Sequence, residues 1–231
     1  MPQRYFVSQI NGLIDGQDAH HITRVMRMKT QDEIIVCAQD QCVLVSIEMV
    51  GNPVTYSVKH VIETHKQMHI TLIQGLPKHP KQEFVTKYAT LFGASAIIFV
   101  PMQRSISKLE NVDHKLSRLE TIAKEAAELG HQSHIPQISM ALHMDKIDFT
   151  VFDMILLADE LEHQKTIPFV TLGVTKTSRI AIIIGPEGGI AESERNVLIS
   201  RKAIPVSLGR HILPTEAASL YALALLSNQN A

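Results

Sequence analysis

The sequence predicts a β-rich N-terminal domain at residues 1–69, followed by an α/β domain with a parallel sheet at residues 70–231. Two observations support this division. Strand-like segments with hairpin spacing fill the first part of the chain, and beyond His69 continuously apolar segments of strand length alternate with helical stripes. Alternating apolar and polar residues are typical of a strand with one buried face, whereas continuous apolar runs indicate strands buried on both faces of a parallel sheet.

Three strands and one short helix are predicted in the N-terminal domain. Residues 33–38 and 42–47 are apolar and are separated by the polar segment Gln39-Asp40-Gln41, which has hairpin length. Residues 54–61 alternate apolar with polar side chains. Apolar spacing within residues 20–27 predicts an amphipathic helix. Several strands in so short a segment indicate a small barrel.

Strands and helices alternate in the second domain. Helical stripes lie at residues 84–92 and 116–126, and a further apolar helix is expected from Ala217 to Leu226. A helix that is apolar all round is buried on most sides, either within its own chain or against a partner subunit. The predicted strands are residues 70–73, 96–100, 154–158, 180–184 and 204–206.

Composition restricts the function only weakly. The chain has 22 Lys+Arg against 23 Asp+Glu, so an RNA-binding role requires that its basic groups be concentrated on one face. No apolar signal segment follows Met1, and no apolar run reaches the ~20 residues of a membrane span, so we expect a cytoplasmic protein without membrane contact. Cys37 and Cys42 are expected to be free thiols, with neither a zinc site nor a disulfide framework.

The first motif with chemical content follows the strand at residues 180–184. That strand runs directly into Gly185-Pro186-Glu187-Gly188-Gly189 and then a helix, and ligands bind at such strand ends in open α/β folds. Neither the Gly-Lys-Ser/Thr of a P-loop nor a Gly-x-Gly-x-x-Gly dinucleotide fingerprint is present. Taken alone, the segment fits a structural turn and a ligand site equally well.

A second glycine-bearing bend lies near the C-terminus. Residues 206–218 follow another short strand, contain Gly209 and lead into a helix with Thr215 as its predicted N-cap. Two such bends within one domain can build a pocket from adjacent loops. The pair therefore favours a ligand site over a simple turn.

Together the two motifs resemble those of the RsmE family, the 16S ribosomal RNA uridine-N3 methyltransferases of the SPOUT class. The matching segments are Ile-Gly-Pro-Glu-Gly-Gly at 184–189, Leu-Gly-x-x-Ile-Leu-x-Thr-Glu at 208–216, Arg4-Tyr5-Phe6-Val7, residues 20–27, Gln103-Arg104-Ser105 and residues 124–128. The resemblance implies a PUA-like RNA-binding β-barrel domain and a SPOUT α/β trefoil-knot methyltransferase domain, a rare exception to unknotted folds. It also implies S-adenosyl-L-methionine as cofactor, no metal, a homodimer through the knot domain, and 16S rRNA of the small ribosomal subunit as substrate.

The expected site residues combine positions that match the family motifs with residues proposed from the chemistry of this chain. For Glu187, the alternative to cofactor binding is that its carboxylate only fixes the loop. For Glu216, the alternative to an active-site role is that it only caps the first turn of the last helix. Arg210 is the expected cation and His211 the expected base, because imidazole titrates near neutral pH; with Glu216 they form the catalytic set. The RNA contacts are expected at Arg4, His21, Arg24, Arg27, Lys29 and Arg104. The cofactor-binding set is Leu157, Ile184, Gly185, Glu187, Gly188, Gly189, Ser207, Leu208, Gly209, Ile212, Leu213 and Thr215.

The chain departs from the family pattern at two places. Arg210-His211 and Pro214 stand where the family has Pro-Arg and Arg, and Leu129-Gly130 replaces Gln-Ser. The expected reaction is methylation of N3 of a specific uridine, which must be unpaired because N3 lies on the pairing edge. The departures leave two alternatives open: a SPOUT methyltransferase acting on tRNA or another ribosomal site, and an RNA-binding assembly factor with weakened catalysis.

Overall fold

The computed structural model describes residues 2–63, 68–162, 164–167 and 174–227. The chain divides into two compact units. The first consists of Met1–His65 with Ala127–His134, and the second of Lys66–Ala126 with Ile135–Ala231. The first unit thus includes a segment from the middle of the sequence, which no local pattern predicts.

The first unit is built on a five-stranded sheet with the order β1-β3-β4-β5-β2. Strand β1 runs parallel to β3, and the other neighbours are antiparallel. The predicted hairpin is present as β3 and β4, and its inward-facing residues pack with the buried Tyr5 and Tyr56. The five strands are Gln3–Phe6, Leu13–Ile14, Glu33–Ala38, Gln41–Met49 and Val54–Ile62.

The helix predicted at residues 20–27 begins earlier than expected and also ends earlier. Helix α1 covers Gly16–His20 and continues into a wider π-helical segment, His21–Val25. Ile22 is fully buried, but Val25 and Met26 are 59% and 39% exposed. Only part of the predicted apolar face therefore enters the core.

The expectation that both cysteines are free thiols is wrong. Cys37 and Cys42 are direct cross-strand partners in the β3–β4 hairpin and form a disulfide. Both are fully buried, and the Sγ atom of Cys42 lies 3.8 Å from the carbonyl oxygen of Ser133. The hairpin register explains the pairing, because directly opposed residues have neighbouring Cβ atoms.

The second unit contains a six-stranded, all-parallel sheet with the order β11-β9-β10-β6-β7-β8. The continuously apolar runs therefore predicted a parallel sheet correctly, and Leu72, Ile97, Leu156 and Ile182 are fully buried within it. Strand β8 was not predicted. In chain order the strands β6 to β11 are His69–Gly75, Ala96–Val100, Gln137–Met140, Met154–Ala158, Arg179–Ile184 and Ile204–Val206.

Helices α2 (Lys81–Leu91), α3 (Val112–Leu129), α4 (Glu192–Ser200) and α5 (Thr215–Ser227) complete the fold, and α2 packs on α5. Helix α5 is not buried all round within the chain, since Ala222 and Leu226 are fully buried but Tyr221 is 46% exposed. No helix in the described ranges combines the length and apolar character needed to cross a membrane.

Candidate functional site

The candidate site lies where three neighbouring strands end. Strand β9 lies between β10 and β11, with Leu157 opposite Ile183 and Ala158 opposite Val206. All three strands are parallel, so the segments that follow them emerge at the same edge of the sheet. These segments are the glycine loop (residues 185–189) after β10, the C-terminal loop (residues 207–214) after β11, and Asp159-Glu160 after β9. The sequence motifs pointed to the first two, and the third was missed.

The backbone of the glycine loop is packed so closely that side chains cannot be added. A Cβ atom on Gly185 would lie 2.8 Å from Cγ1 of Ile190, and one on Gly188 would lie 2.9 Å from Cβ and 3.0 Å from the carbonyl oxygen of Arg104. Gly189 has a φ of +72°, in the region that favours glycine. The fold of the loop thus requires glycine at these positions.

A buried amide joins the glycine loop to helix α5. Gln74, fully buried near the end of β6, donates through Nε2 to Oγ1 of Thr215 at 2.8 Å and to the carbonyl oxygen of Gly185 at 3.3 Å. Its Oε1 atom accepts from the hydroxyl of Ser219. Thr215 also donates to the carbonyl of Gly185. Gln74 therefore joins the start of the first motif to the end of the second in one network, although no sequence pattern marked it.

The predicted N-cap role of Thr215 is wrong. Helix α5 begins at Thr215 itself, and the N–H of Ala218 donates to the carbonyl of Pro214 at 2.8 Å. The Thr215 hydroxyl is used in the network with Gly185, so it is not available to cap the first turn. Thr215 is a buried residue that links the two loops.

The C-terminal loop presents unpaired main chain. Gly209 has a φ of +115°, and no atom lies within 4 Å of the position that its Cβ would occupy. Within the described part of the chain, the N–H groups of Leu208, Ile212 and Leu213 have no hydrogen-bond partner. Open main-chain donors beside empty space suit a flat heteroaromatic ring such as adenine. The side chains of Arg210, His211 and Ile212 are exposed on this loop, and Ser207 is buried at its start.

Glu187 and Glu216 converge on one lysine at the start of α2. Nζ of Lys81 lies 2.8 Å from Oε2 of Glu216 and 3.6 Å from Oε1 of Glu187, which also accepts the N–H of Lys78 at 3.0 Å. The hydrogen bond to Glu216 raises the pKa of Lys81. Burial acts to raise the pKa of Glu216, but the hydrogen bond from Lys81, a backbone hydrogen bond at Glu216 and the charge of Lys81 together lower it. Glu187 and Glu216 therefore link the glycine loop and the start of α5 to the start of α2.

Ion pairs and hydrogen bonds fix the segments around the glycine loop. Nε of Arg195 on α4 lies 2.5 Å from Oδ2 of the nearly buried Asp159, which directly follows β9. The carboxylate of Glu194 accepts the N–H of Gln103 at 2.7 Å, and Nη1 of Arg104 donates to the carbonyl oxygen of Gly188 at 3.1 Å. Arg104 thus lies against the candidate cofactor loop, in the second unit.

The remaining expected RNA contacts lie in the first unit and differ in their surroundings. Arg24, Arg27 and Lys29 are exposed. Arg4 points into its own unit, donating through Nη1 to the carbonyl oxygens of His131, at 2.7 Å, and Gln132, and burial lowers its pKa. His21 is engaged through Nδ1 with the hydroxyl of Tyr5 at 3.0 Å.

Two family models and several known proteins match this chain. A family model described as an RNA methyltransferase domain matches residues 63–227, and one described as an RNA methyltransferase PUA domain matches residues 14–41. Ribosomal RNA small subunit methyltransferase E from Bacillus subtilis is 31% identical, covering 98% of this chain and 96% of the relative.

Solved structures give the same result for the fold. A crystal structure of a hypothetical protein superposes with a TM-score of 0.88 at 30% identity over 98% of both chains. Ribosomal RNA small subunit methyltransferase E from Neisseria gonorrhoeae, bound to S-adenosyl methionine, gives a TM-score of 0.82 at 20% identity, covering 99% of this chain and 98% of that one. The predicted succession of a PUA-like domain and an α/β methyltransferase domain with a parallel sheet is confirmed.

The strand-end loops, their glycines and these matches lead to one conclusion. This chain belongs to the RNA methyltransferase family that includes ribosomal RNA small subunit methyltransferase E.

Proposed function

We propose that this protein methylates N3 of a specific uridine in 16S ribosomal RNA, with S-adenosyl-L-methionine as the methyl donor. The observation that carries the proposal is the pair of glycine-bearing loops at neighbouring strand ends, in a chain of this family. Their open main chain fits the adenine and ribose of the donor. Residues 157, 184, 185, 187–189, 207–209, 212, 213 and 215 would hold it.

The donor supplies an activated methyl group on a sulfonium. The chain must therefore align the acceptor base, exclude competing water and remove the N3 proton. His211 is exposed on the C-terminal loop and is our candidate base, with Arg210 beside it as the cation that stabilises the uridine anion. Glu216 is paired with Lys81, so we assign it a positioning role rather than direct contact with substrate.

RNA binding is proposed for the PUA-like domain, for which we propose residues 1–69. The exposed side chains of Arg24, Arg27 and Lys29 can contact phosphates, while Arg4 is committed to carbonyls of its own unit. Such contacts position the RNA without reading its sequence. The knot domain, proposed at residues 70–231, then provides the chemistry.

A homodimer through the knot domain is proposed from the surface of two packed helices. Phe84 on α2 and Tyr221 on α5 are 43% and 46% exposed, and large exposed apolar side chains on neighbouring helices favour burial against a second copy. Light scattering after size exclusion should give twice the chain mass. We further propose that the protein acts in the cytoplasm, where its ribosomal substrate lies.

The decisive experiment incubates the protein with 16S rRNA or small subunits and a methyl-labelled donor, followed by nuclease digestion and mass spectrometry. The expected product is a single 3-methyluridine, with transfer RNA as a control substrate that stays unlabelled. Labelled tRNA or a methyl group on another atom would contradict the assignment of substrate. Donor binding without any transfer would contradict the enzymatic function and favour an assembly factor.

A further inference from the structure

Two opposite charges approach the same point above the glycine loop. A Cβ atom placed on Gly189 would lie 3.8 Å from Nη1 of Arg104 and 4.0 Å from Oε1 of Glu160. Gly189 has no side chain, and beyond its chain neighbours no other heavy atom lies within 4 Å of that Cβ position. Glu160 was not singled out by any sequence motif.

The Arg104 side chain and the backbone that carries Glu160 are held in position by their surroundings. Nη1 of Arg104 donates to the carbonyl oxygen of Gly188, and the Arg104 backbone packs where a Gly188 side chain would lie. Glu160 follows Asp159, whose carboxylate is bound by Arg195 and by the N–H of Leu161 at 3.0 Å. The segment that carries Glu160 is therefore fixed at the end of β9.

Two other cations at this edge of the sheet are neutralised by ion pairs. Lys81 is paired with Glu216, and Arg195 with Asp159. Among the residues that the structure describes, neither Arg104 nor Glu160 forms an ion pair. Arg104 and Glu160 thus flank the glycine loop and remain available to bind a ligand.

This arrangement selects for a particular ligand chemistry. An RNA phosphate would be attracted by Arg104 but repelled by Glu160, so the pair is poorly suited to nucleic-acid backbone. A zwitterion satisfies both groups, because its carboxylate can accept from the guanidinium while its ammonium donates to the glutamate. The donor proposed above carries such a zwitterion at its methionine end.

We infer that Arg104 and Glu160 form the subsite that binds the α-amino-acid end of the methyl donor, Arg104 its carboxylate and Glu160 its ammonium group. The inference rests on the proposed function, and it replaces a direct RNA contact as the role of Arg104. It involves no covalent step. It predicts that the amino-acid end of the donor contributes strongly to affinity.

Calorimetric titration of the full chain with three nucleosides tests the inference. S-adenosylhomocysteine carries both charges, decarboxylated S-adenosylmethionine lacks the carboxylate, and methylthioadenosine lacks the whole amino-acid end. Arg104→Met should weaken S-adenosylhomocysteine roughly tenfold to a hundredfold, as expected for a lost charge-assisted hydrogen bond, and leave the other two ligands within twofold. Glu160→Gln should weaken the first two ligands and spare methylthioadenosine.

Arg118→Met is the matched control, because Arg118 is an exposed arginine of the same unit that pairs with Glu83 through Oε1 at 3.4 Å. It should change none of the three affinities, and thermal unfolding should show all variants folded. The inference would be overturned if Arg104→Met lowered the affinity for all three ligands equally. It would also be overturned if Arg104→Met left S-adenosylhomocysteine affinity unchanged but impaired methyl transfer to RNA. If the unmodified protein binds none of the ligands, the proposed function itself fails and the inference with it.

Discussion

Replacing Gln74 with methionine tests how the two candidate loops are held together. The substitution keeps the side-chain length and apolar contacts but removes an amide that donates to Gly75, Gly185 and Thr215 and accepts from Ser219. Gln74 is fully buried, so water cannot replace these bonds without rearrangement. The mutation should therefore both destabilise the second unit and loosen the donor site.

The magnitude follows from the partners that remain. A hydrogen bond contributes about 0.5–1.5 kcal/mol net, and more when a buried partner is left unsatisfied. Thr215 still donates to Gly185, and Ser219 still donates to the carbonyl of Thr215 at 2.9 Å, so part of the network survives. We expect a loss of roughly 2–3 kcal/mol. At about 2–4 °C per kcal/mol for a chain of this size, Tm should fall by roughly 5–10 °C.

Gln82→Met is a suitable control. Gln82 is a buried glutamine in the same unit, and its Nε2 donates a single hydrogen bond, to the carbonyl oxygen of Pro77 at 2.8 Å. Its replacement should lower stability by about 1 kcal/mol and leave donor affinity unchanged. Circular dichroism measures Tm, and calorimetry measures donor affinity. If Gln74→Met has no larger effect than Gln82→Met on either quantity, the proposed coupling of the loops is wrong.

Three further predictions concern separate parts of the molecule. Gly188→Ala should weaken donor binding at least tenfold, since its Cβ would meet the Arg104 backbone; Gly51→Ala, at a glycine of the first unit without a positive φ, should not. The lowered pKa of Glu216 means that its carboxylate stabilises the fold at neutral pH and loses this contribution on acidification. Glu216→Gln should therefore reduce Tm at pH 7 but match the unmodified protein at about pH 3, and a constant difference would contradict the ion pair. Charge reversal at Arg24 and Arg27 should weaken RNA binding and reduce its salt slope by about one per lost phosphate contact; an unchanged slope would remove both from the RNA surface.

The fold was predictable where local patterns decide it. The apolar runs at residues 96–100, 154–158 and 180–184 became strands of a parallel sheet, because a strand covered on both faces needs apolar residues throughout. The glycine loop was also predictable, because glycines directly after a buried strand indicate either a tight turn or a backbone left open to a ligand.

The missed features depend on contacts between residues distant in sequence. Gln74 reads as an ordinary polar residue at a strand end, yet its partner Thr215 lies 141 positions away. The polar residue within an otherwise apolar strand was a signal that could have been used. Thr215 was assigned to capping because local spacing cannot show that Gly185 competes for its hydroxyl.

The same limitation applies to Glu160 and to the middle segment at residues 127–134. Glu160 becomes notable only when Gly189 and Arg104 are placed beside it in space. The segment at residues 127–134 joins the first unit through contacts such as that of Arg4 with His131. Neither feature leaves a periodic pattern in the sequence.

The central claim is that the glycine loop and the C-terminal loop together hold the methyl donor. A crystal structure of the protein with S-adenosylhomocysteine tests it most directly. We predict the adenine against residues 208–213 and the amino-acid end above Gly189. A ligand bound elsewhere, with these two loops empty, would contradict the account.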